Sequence, residues 1–319
     1  MEAVLERELN RPYVGRLAPS PTGALHLGNV RTFMIAWLRA RSLGGRVVMR
    51  MEDLDHPRDK PGAAAAALED LKWLGFDWDE EYVQSHRKDL YREALERLLD
   101  MRSPGGDRLV YPCVCSRRDV ESAQSAPHSG EQLRYCGTCR GRFGNWAEAT
   151  AAKGGAAACW RFRVEPGELV AFDDVFAGRF EQDVFSVLGD FPLARDEFGA
   201  GYTLAVVVDD AAMGVSEVVR GDDLLPATPA QILLQRALGL PTPSYCHVPL
   251  VVGRDGKRLA KRHGDTRIST FRAAGARPEE IIGKLAASCG WCGENERAAL
   301  PELLGRFDLG SVPHRPFMV

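Results

Sequence analysis

The sequence predicts an α/β protein built on a parallel sheet with crossover helices. Two observations carry this reading. From Tyr13 to Leu98, short apolar runs alternate with amphipathic stretches in the order β-loop-α-β-α. The segment after the first run, RLAPSPTGALHLGN (Arg16 to Asn29), holds two prolines, two glycines and one histidine. Proline fixes φ and removes a donor, while glycine permits φ values other residues avoid, so this is a shaped loop and not regular structure. In parallel α/β sheets such loops lie beyond the carboxyl ends of strands, where ligands bind.

Each element has its own signal. Tyr13 to Leu17 reads as a short strand feeding the loop. Val30, Phe33, Met34, Trp37 and Leu38 follow at i, i+3, i+4, i+7 and i+8, one face of a helix that Gly44 and Gly45 end. RVVMRM (Arg46 to Met51) reads as a strand delivering Glu52, Asp53 and Asp55 at its carboxyl end. Pro61 fits the first turn of an alanine-rich helix carrying Leu68, Leu71 and Leu74 and stopped by Gly75. Leu90, Ala94, Leu95 and Leu98 mark another amphipathic helix.

Sheet-like sequence returns at Trp160 to Val164 and at Thr203 to Val208 (TLAVVV). A helix is expected from about Pro229 to Leu238. Pro278, Glu279 and Glu280 open another, with Ile281, Ile282, Leu285 and Ala286 on its apolar side. From Tyr111 the texture shifts to cysteine, glycine, arginine and alanine. The expected organisation is 1–110 as the first half of the α/β domain, 111–195 as an inserted subdomain, 196–262 as its second half, and 263–319 as a short helical C-terminal region.

The 319 residues are 45% hydrophobic and 27% charged, with a net charge of −3. This is the profile of a globular protein with no global attraction to nucleic acid, so any basic contact surface is local. MEAVLERELN lacks the apolar core of a secretory signal, and no apolar run reaches membrane-span length. A cytoplasmic protein without a membrane partner or an obligate protein partner is expected, its eight cysteines reduced or metal-bound.

Two segments suggest phosphate chemistry. A helix N-terminus attracts anions, Gly23 and Gly28 allow close approach, and His26 can donate to a phosphate oxygen. The bland alternative is a tight turn with a surface histidine. RDGKRLAKRH (Arg254 to His263) holds five Lys or Arg against one Asp, with Asp255-Gly256 as a turn signal. It suits a polyphosphate, although alone it also fits a solvated basic surface.

Together, PSPTG-x-LHLGN and R-L-A-K-R resemble the HIGH and KMSKS signatures of class I aminoacyl-tRNA synthetases. GRLAPSPTG, RMEDLD, LGFDWDE, and LAVVVDD followed by EVVRGDDLL narrow the resemblance to the glutamyl-tRNA synthetase family, from about Val14 to Lys261. The resemblance implies a Rossmann-type catalytic domain that activates L-glutamate with ATP and Mg2+. Only 58 residues follow Lys261 in the chain of 319, where full-length members carry a long anticodon-binding region. With the cysteine-rich insertion, this points to the truncated branch of the family. Its members activate glutamate without tRNA and transfer it to the queuosine base at the wobble position of tRNA(Asp).

The resemblance assigns His26 and Lys261 as catalytic. It gives His26, Gly28, Asn29 and Lys261 to ATP, and Arg16, Leu17, Ala18, Pro19, Ser20, Glu52, Tyr202 and Arg220 to glutamate. The chemistry agrees, since glutamate needs arginines for two carboxylates and an acid for its ammonium. A surface ion pair is the bland reading of Glu52 and Arg220, and a core position that of Tyr202. Asn29 replaces the last His of HIGH, and Arg258 and Ala260 replace the first Lys and the Ser of KMSKS.

Cys113-Val-Cys115 and Cys136-Gly-Thr-Cys139 read by spacing as a four-cysteine zinc site. The family resemblance instead implies one structural zinc on Cys113, Cys115, Tyr135 and Cys139, with Cys136 a neighbour. Cys289-Gly-Trp-Cys292 has no partner pair and reads as inert. Arg117, Arg118, Arg134, Arg140 and Arg142 are candidates for RNA phosphate contact. Two rival functions remain: a shortened synthetase charging a tRNA 3′ end, and a non-catalytic, zinc-stabilised RNA-binding protein.

Overall fold

The computed structural model describes residues 12–54, 60–123, 133–257, 259 and 265–319. Strand β1 (Val14–Leu17) leads through the shaped loop into helix α1 (Leu27–Ser42), then β2 (Arg46–Met51), α2 (Ala63–Trp73), β3 (Glu80–Val83) and α3 (Lys88–Asp100). β1, β2 and β3 are parallel neighbours in the order β1-β2-β3. Gly44 and Gly75, at φ +64° and +91°, provide the left-handed turns that end α1 and α2.

The next stretch holds β4 (Val110–Cys113), α4 (Arg117–Ala123), α5 (Trp146–Ala152), β5 (Cys159–Phe162), β6 (Leu169–Asp174), β7 (Gly178–Asp183), α6 (Val184–Val187) and β8 (Phe191–Ala194). β4, β5 and β8 form an antiparallel sheet of their own. The β6–β7 hairpin does not join it. It pairs with β10 (Ser244–Val248), parallel, at Asp174 and Tyr245.

Between them the chain runs through α7 (Tyr202–Ala212), β9 (Glu217–Gly221) and α8 (Thr228–Leu238). β9 pairs parallel with β10. It lies beside β1, where Ser216 N–H donates to Val14 O at 2.9 Å and Val14 N–H donates to Ser216 Oγ at 2.8 Å. The resulting spatial order is β3-β2-β1-β9-β10-β6-β7, with only β7 antiparallel. The order reverses between β1 and β9, so the loops leaving these two strands diverge and open a crevice at their carboxyl ends.

Both faces of this sheet are covered. In β2, Val47, Met49 and Met51 enter a core shared with α1, α2 and the C-terminal segment, while Val48 enters the core under α3, α7 and α8. Such two-sided burial is expected of a parallel sheet and explains the unbroken apolar run Val47-Val48-Met49. The chain closes with β11 (Val251–Val252), α9 (Ile268–Ala273), α10 (Pro278–Ala287), two 3₁₀ turns and β12 (Phe317–Met318), which pairs with β11. Ile281, Ile282, Leu285 and Ala286 of α10 are buried in the first core.

Two expectations need correction. Thr203 to Val208 is not a strand but the interior of α7, and every residue from Leu204 to Asp210 is buried. A helix apolar on all sides has no amphipathic period, so its sequence looks like that of a buried strand. In α3, Leu90 is 38% exposed; Tyr91 takes the inward position, with Ala94, Leu95 and Leu98 at i+3, i+4 and i+7.

Candidate active site

The crevice is a cavity of about 800 Å³. Arg16, Ala18, Pro19, Ser20, His26, Gly28, Asn29, Glu52, Tyr202 and Arg220 all line it. Leu17 does not; its side chain is fully buried in the core, so only its main chain is available there. Lys261, with Arg258, Ala260 and Asp55, lies outside the described residues.

Two main-chain ties shape the cavity wall. Glu52 N–H donates to Pro19 O at 2.9 Å, fixing the loop after β1 against the end of β2. Leu25 and Leu27 pair with Ile268 and Thr266, at 2.9 and 3.1 Å, so the loop's far end is bound to the chain that follows the cationic segment. On the segment's near side, Gly253 N–H donates to Lys257 O at 2.9 Å around the expected Asp255-Gly256 turn, and Leu259 touches the cavity. The chain after the cationic segment is therefore tied beside His26, and Leu259 lines the same cavity.

His26 caps α1. Its Nδ1 accepts from the main-chain N–H groups of Gly28 and Asn29 at 3.1 and 3.3 Å, and Asn29 Oδ1 accepts from His26 N–H at 3.1 Å. With Nδ1 an acceptor, the ring proton of the neutral imidazole sits on Nε2, which makes that atom the ring's donor. A Cβ at Gly28 would stand 3.0 Å from the imidazole, so glycine is what lets the ring seat there. Asn29 thus acts first as a capping residue, an arrangement not apparent from the motif alone.

The amino-acid end is a buried charge cluster. Arg16 Nη1 donates to Val219 O at 2.7 Å, and its Nε, 3.9 Å from Asp210, has no hydrogen-bond partner among the described residues. Burial pulls this guanidinium below its ordinary value, against the pull of Asp210. Arg50, fully buried, donates to Asp210 at 2.6 Å and to Glu52 at 3.1 Å. Despite burial, these carboxylates hold it above its ordinary value. Burial raises the Glu52 carboxyl, while Arg50 and Arg16 oppose the rise. Arg16 and Arg220 line the cavity with the carboxylates Glu52 and Asp223, and Arg50 and Asp210 lie buried behind them. Tyr202, 43% exposed at the start of α7, is a wall residue and not core.

Arg220 is buried on β9. Its Nε donates to His247 Nε2 at 2.9 Å, and its Nη2 to Thr228 Oγ1 and Gln231 Oε1 at 2.8 and 2.9 Å. Arg50, Asp210, His247 and Thr228 were not singled out from sequence. Their available signal was polar residues within strongly apolar segments.

In the insertion, the Sγ atoms of Cys113, Cys115 and Cys139 lie within 4.8 Å of one another. Tyr135 Oη stands 3.2 Å from Cys113 Sγ and 3.8 Å from Cys115 Sγ. Cys136 is exposed, with its Sγ 3.2 Å from Thr138 Oγ1. The structure therefore gathers Tyr135 and not Cys136 with the three thiols. The neighbouring Cys113 thiol and burial push Cys139 up to about 12. Arg161 donates to Cys113 Sγ at 3.2 Å and lies over the Tyr135 ring at 3.9 Å. Three crowded sulfurs and a phenol beside one guanidinium make a donor set that a thiophilic divalent cation fits. Cys159 pairs with Cys113 across β4–β5, and their hydrogen bond draws its thiol down to about 7. Cys289 is buried beyond the end of α10, and Cys292 is half-buried.

Of the arginines proposed for RNA, Arg140 donates to Asp190 at 2.7 Å and Arg134 to Phe185 O at 2.9 Å, so both are committed within the fold. Arg117 pairs with Glu121 on the surface.

Comparison with known proteins agrees with this geometry. The family described as tRNA synthetases class I (E and Q), catalytic domain, matches residues 13–305. The chain belongs to this family. It is accordingly a ligase of the class I aminoacyl-tRNA synthetase type. Among curated relatives of this class I family, the Glutamyl-Q tRNA(Asp) synthetase of Symbiobacterium thermophilum is 46% identical, covering 96% of this chain and 95% of its own length. The Glutamate--tRNA ligase of Aquifex aeolicus is 39% identical, covering 94% of this chain but 63% of its own. A solved glutamate tRNA ligase from Elizabethkingia meningosepticum, in complex with its amino acid, superposes with a TM-score of 0.79 at 26% identity over 97% of this chain and 67% of that one. Among the described residues, no helix is long and apolar enough to cross a membrane.

Proposed function

We propose that this chain activates L-glutamate with ATP, without tRNA, and transfers it to the queuosine base at the wobble position of tRNA(Asp). The observation that carries the activation step is the single cavity joining Arg16, Glu52, Tyr202 and Arg220 to the capped N-terminus of α1. Arg16 and Arg220 take the two carboxylates of glutamate and Glu52 takes its ammonium. The acceptor assignment rests on the curated relatives of matching length, five of which carry the name Glutamyl-Q tRNA(Asp) synthetase at 42–46% identity.

No enzyme nucleophile is required. A carboxylate oxygen of glutamate attacks the α-phosphorus of ATP, the bond to the bridging oxygen breaks, and pyrophosphate leaves. An acceptor nucleophile of the tRNA then attacks the acyl carbon, and AMP leaves. His26 Nε2–H, the positive end of the α1 dipole and Lys261 stabilise charge on the phosphates, with Mg2+ accompanying ATP. Catalysis is positioning plus electrostatics. Zinc on Cys113, Cys115, Tyr135 and Cys139 would tie β4 to the loop carrying Tyr135, a structural role.

Glutamate-dependent ATP–pyrophosphate exchange without RNA tests the first step. Exchange is expected in the wild type and expected to fall by about 100-fold or more in Lys261→Ala at unchanged thermal stability. Unaltered exchange in that variant would remove Lys261 from the phosphate site.

A further inference from the structure

Arg220 has five N–H donors, as every arginine does. Three are committed: Nε–H to His247, and both Nη2 hydrogens to Thr228 and Gln231. Nη1 makes no hydrogen bond among the described residues, and Arg220 lines the cavity. The guanidinium is therefore held by one edge and offers its remaining nitrogen to a ligand.

The hold on Nε reaches further. His247 sits opposite Arg220 in the β9–β10 register. Its Nδ1 lies 2.6 Å from Asp174 Oδ2, at the end of β6. Asp174 Oδ1 accepts three main-chain N–H groups: Phe176 at 3.0 Å, Ala177 at 2.8 Å and His247 at 3.0 Å. The carboxylate is thus locked in orientation, with Oδ2 turned to the imidazole. An acceptor at Nδ1 places the ring proton there and leaves Nε2 as a lone pair for Arg220 Nε–H. All three side chains are buried. In a buried row of this kind each group dictates the hydrogen-bonding sense of the next.

We propose that Asp174 and His247 are positioning residues for substrate carboxylate recognition. Asp174 fixes the tautomer of His247, and His247 aims Arg220. The hairpin β6–β7 thereby contributes to the amino-acid site without touching the cavity. This rests on the reading of Arg220 as a glutamate ligand.

Asp174→Asn separates a positioning role from a packing one. Three N–H groups already converge on Oδ1, so the asparagine oxygen is retained there and its amide N–H2 faces His247. Nδ1 then becomes the acceptor, Nε2 carries the proton, and that proton opposes Arg220 Nε–H. His247→Gln places an amide oxygen near the Nε2 position and can restore an acceptor for Arg220, whereas His247→Phe cannot.

The test is glutamate-dependent ATP–pyrophosphate exchange, with KM measured separately for glutamate and ATP. It is paired with the thermal upshift caused by glutamate alone, a readout independent of catalysis. Asp174→Asn and His247→Phe are expected to raise glutamate KM by about tenfold or more and to abolish the glutamate upshift. ATP KM is expected to stay within about twofold, and His247→Gln to recover most of the loss. Equal changes in both KM values, or His247→Gln no better than His247→Phe, would overturn the proposal and leave the row a packing feature. Absence of both exchange and upshift in the wild type would overturn the glutamate reading, and this proposal with it. A wild-type upshift that persists unchanged in Asp174→Asn would overturn the positioning role alone.

Discussion

Removing Asp210 should expose how much the fold depends on its buried charges. Asp210 faces Arg50 at 2.6 Å and Arg16 at 3.9 Å, all three buried. In Asp210→Ala, Arg50 keeps Glu52 as its ion-pair partner among the described residues, with Asp209 farther off, and Arg16 loses its ion-pair partner. Breaking a buried pair by deleting one partner costs about 3–5 kcal/mol, because the remaining charge stays desolvated. The unfolding entropy of about 2.1 cal/mol/K per residue gives about 0.7 kcal/mol/K for this chain, so Tm should fall by about 4–7 °C. The contrasting control is Glu121→Ala. Its pair with Arg117 is solvent-exposed and worth about 0.5 kcal/mol or less, a shift under about 1 °C. Scanning calorimetry reads both. Glutamate KM should also rise in Asp210→Ala, because Arg50 then competes harder for Glu52. Equal small shifts in the two variants would refute the claim that Asp210 is an obligatory counter-charge.

Three further expectations follow from the geometry. Gly28→Ala places a methyl against the His26 ring, so ATP KM should rise by about tenfold with little change in Tm, measured by exchange kinetics. Cys139→Ser should lose bound zinc, as measured by metal analysis after gel filtration. Cys136→Ser should retain it, since its thiol lies outside the cluster, and zinc loss in that variant would restore the four-cysteine assignment. Glutamate KM should increase on acidification, because burial raises the Glu52 carboxyl and its protonation removes the partner of the substrate ammonium. The rise should therefore begin above the ordinary glutamate value of about 4.3, and its absence in Glu52→Gln identifies the group.

Legibility in the sequence followed locality. The opening loop, α1 and β2 announce themselves through short-range signals: proline and glycine placement, a helical apolar face, and an apolar run ending in an acid. Arg16, Glu52 and Arg220 sit at strand ends; the α/β reading brought the opening loop and Glu52 to one crevice, and the family resemblance added Arg220. α7 escaped because burial on all sides erases the period that marks a helix. The row Asp174–His247–Arg220 escaped because its members come from three strands, and Asp174 and His247 are 73 residues apart. Asp210 and Arg50 are separated by 160 residues. Spacing also could not choose between Tyr135 and Cys136; the choice depends on the direction of two adjacent side chains, and the main chain at Tyr135 is held by its bridge to Gly189, 54 residues away in sequence.

The central claim is tested most directly by transfer of labelled glutamate to three RNAs: tRNA(Asp) containing queuosine, the same tRNA without it, and tRNA(Glu). Labelling of the first alone is the expected result. Labelling of tRNA(Glu) would contradict it and make this chain a compact enzyme that charges a tRNA 3′ end.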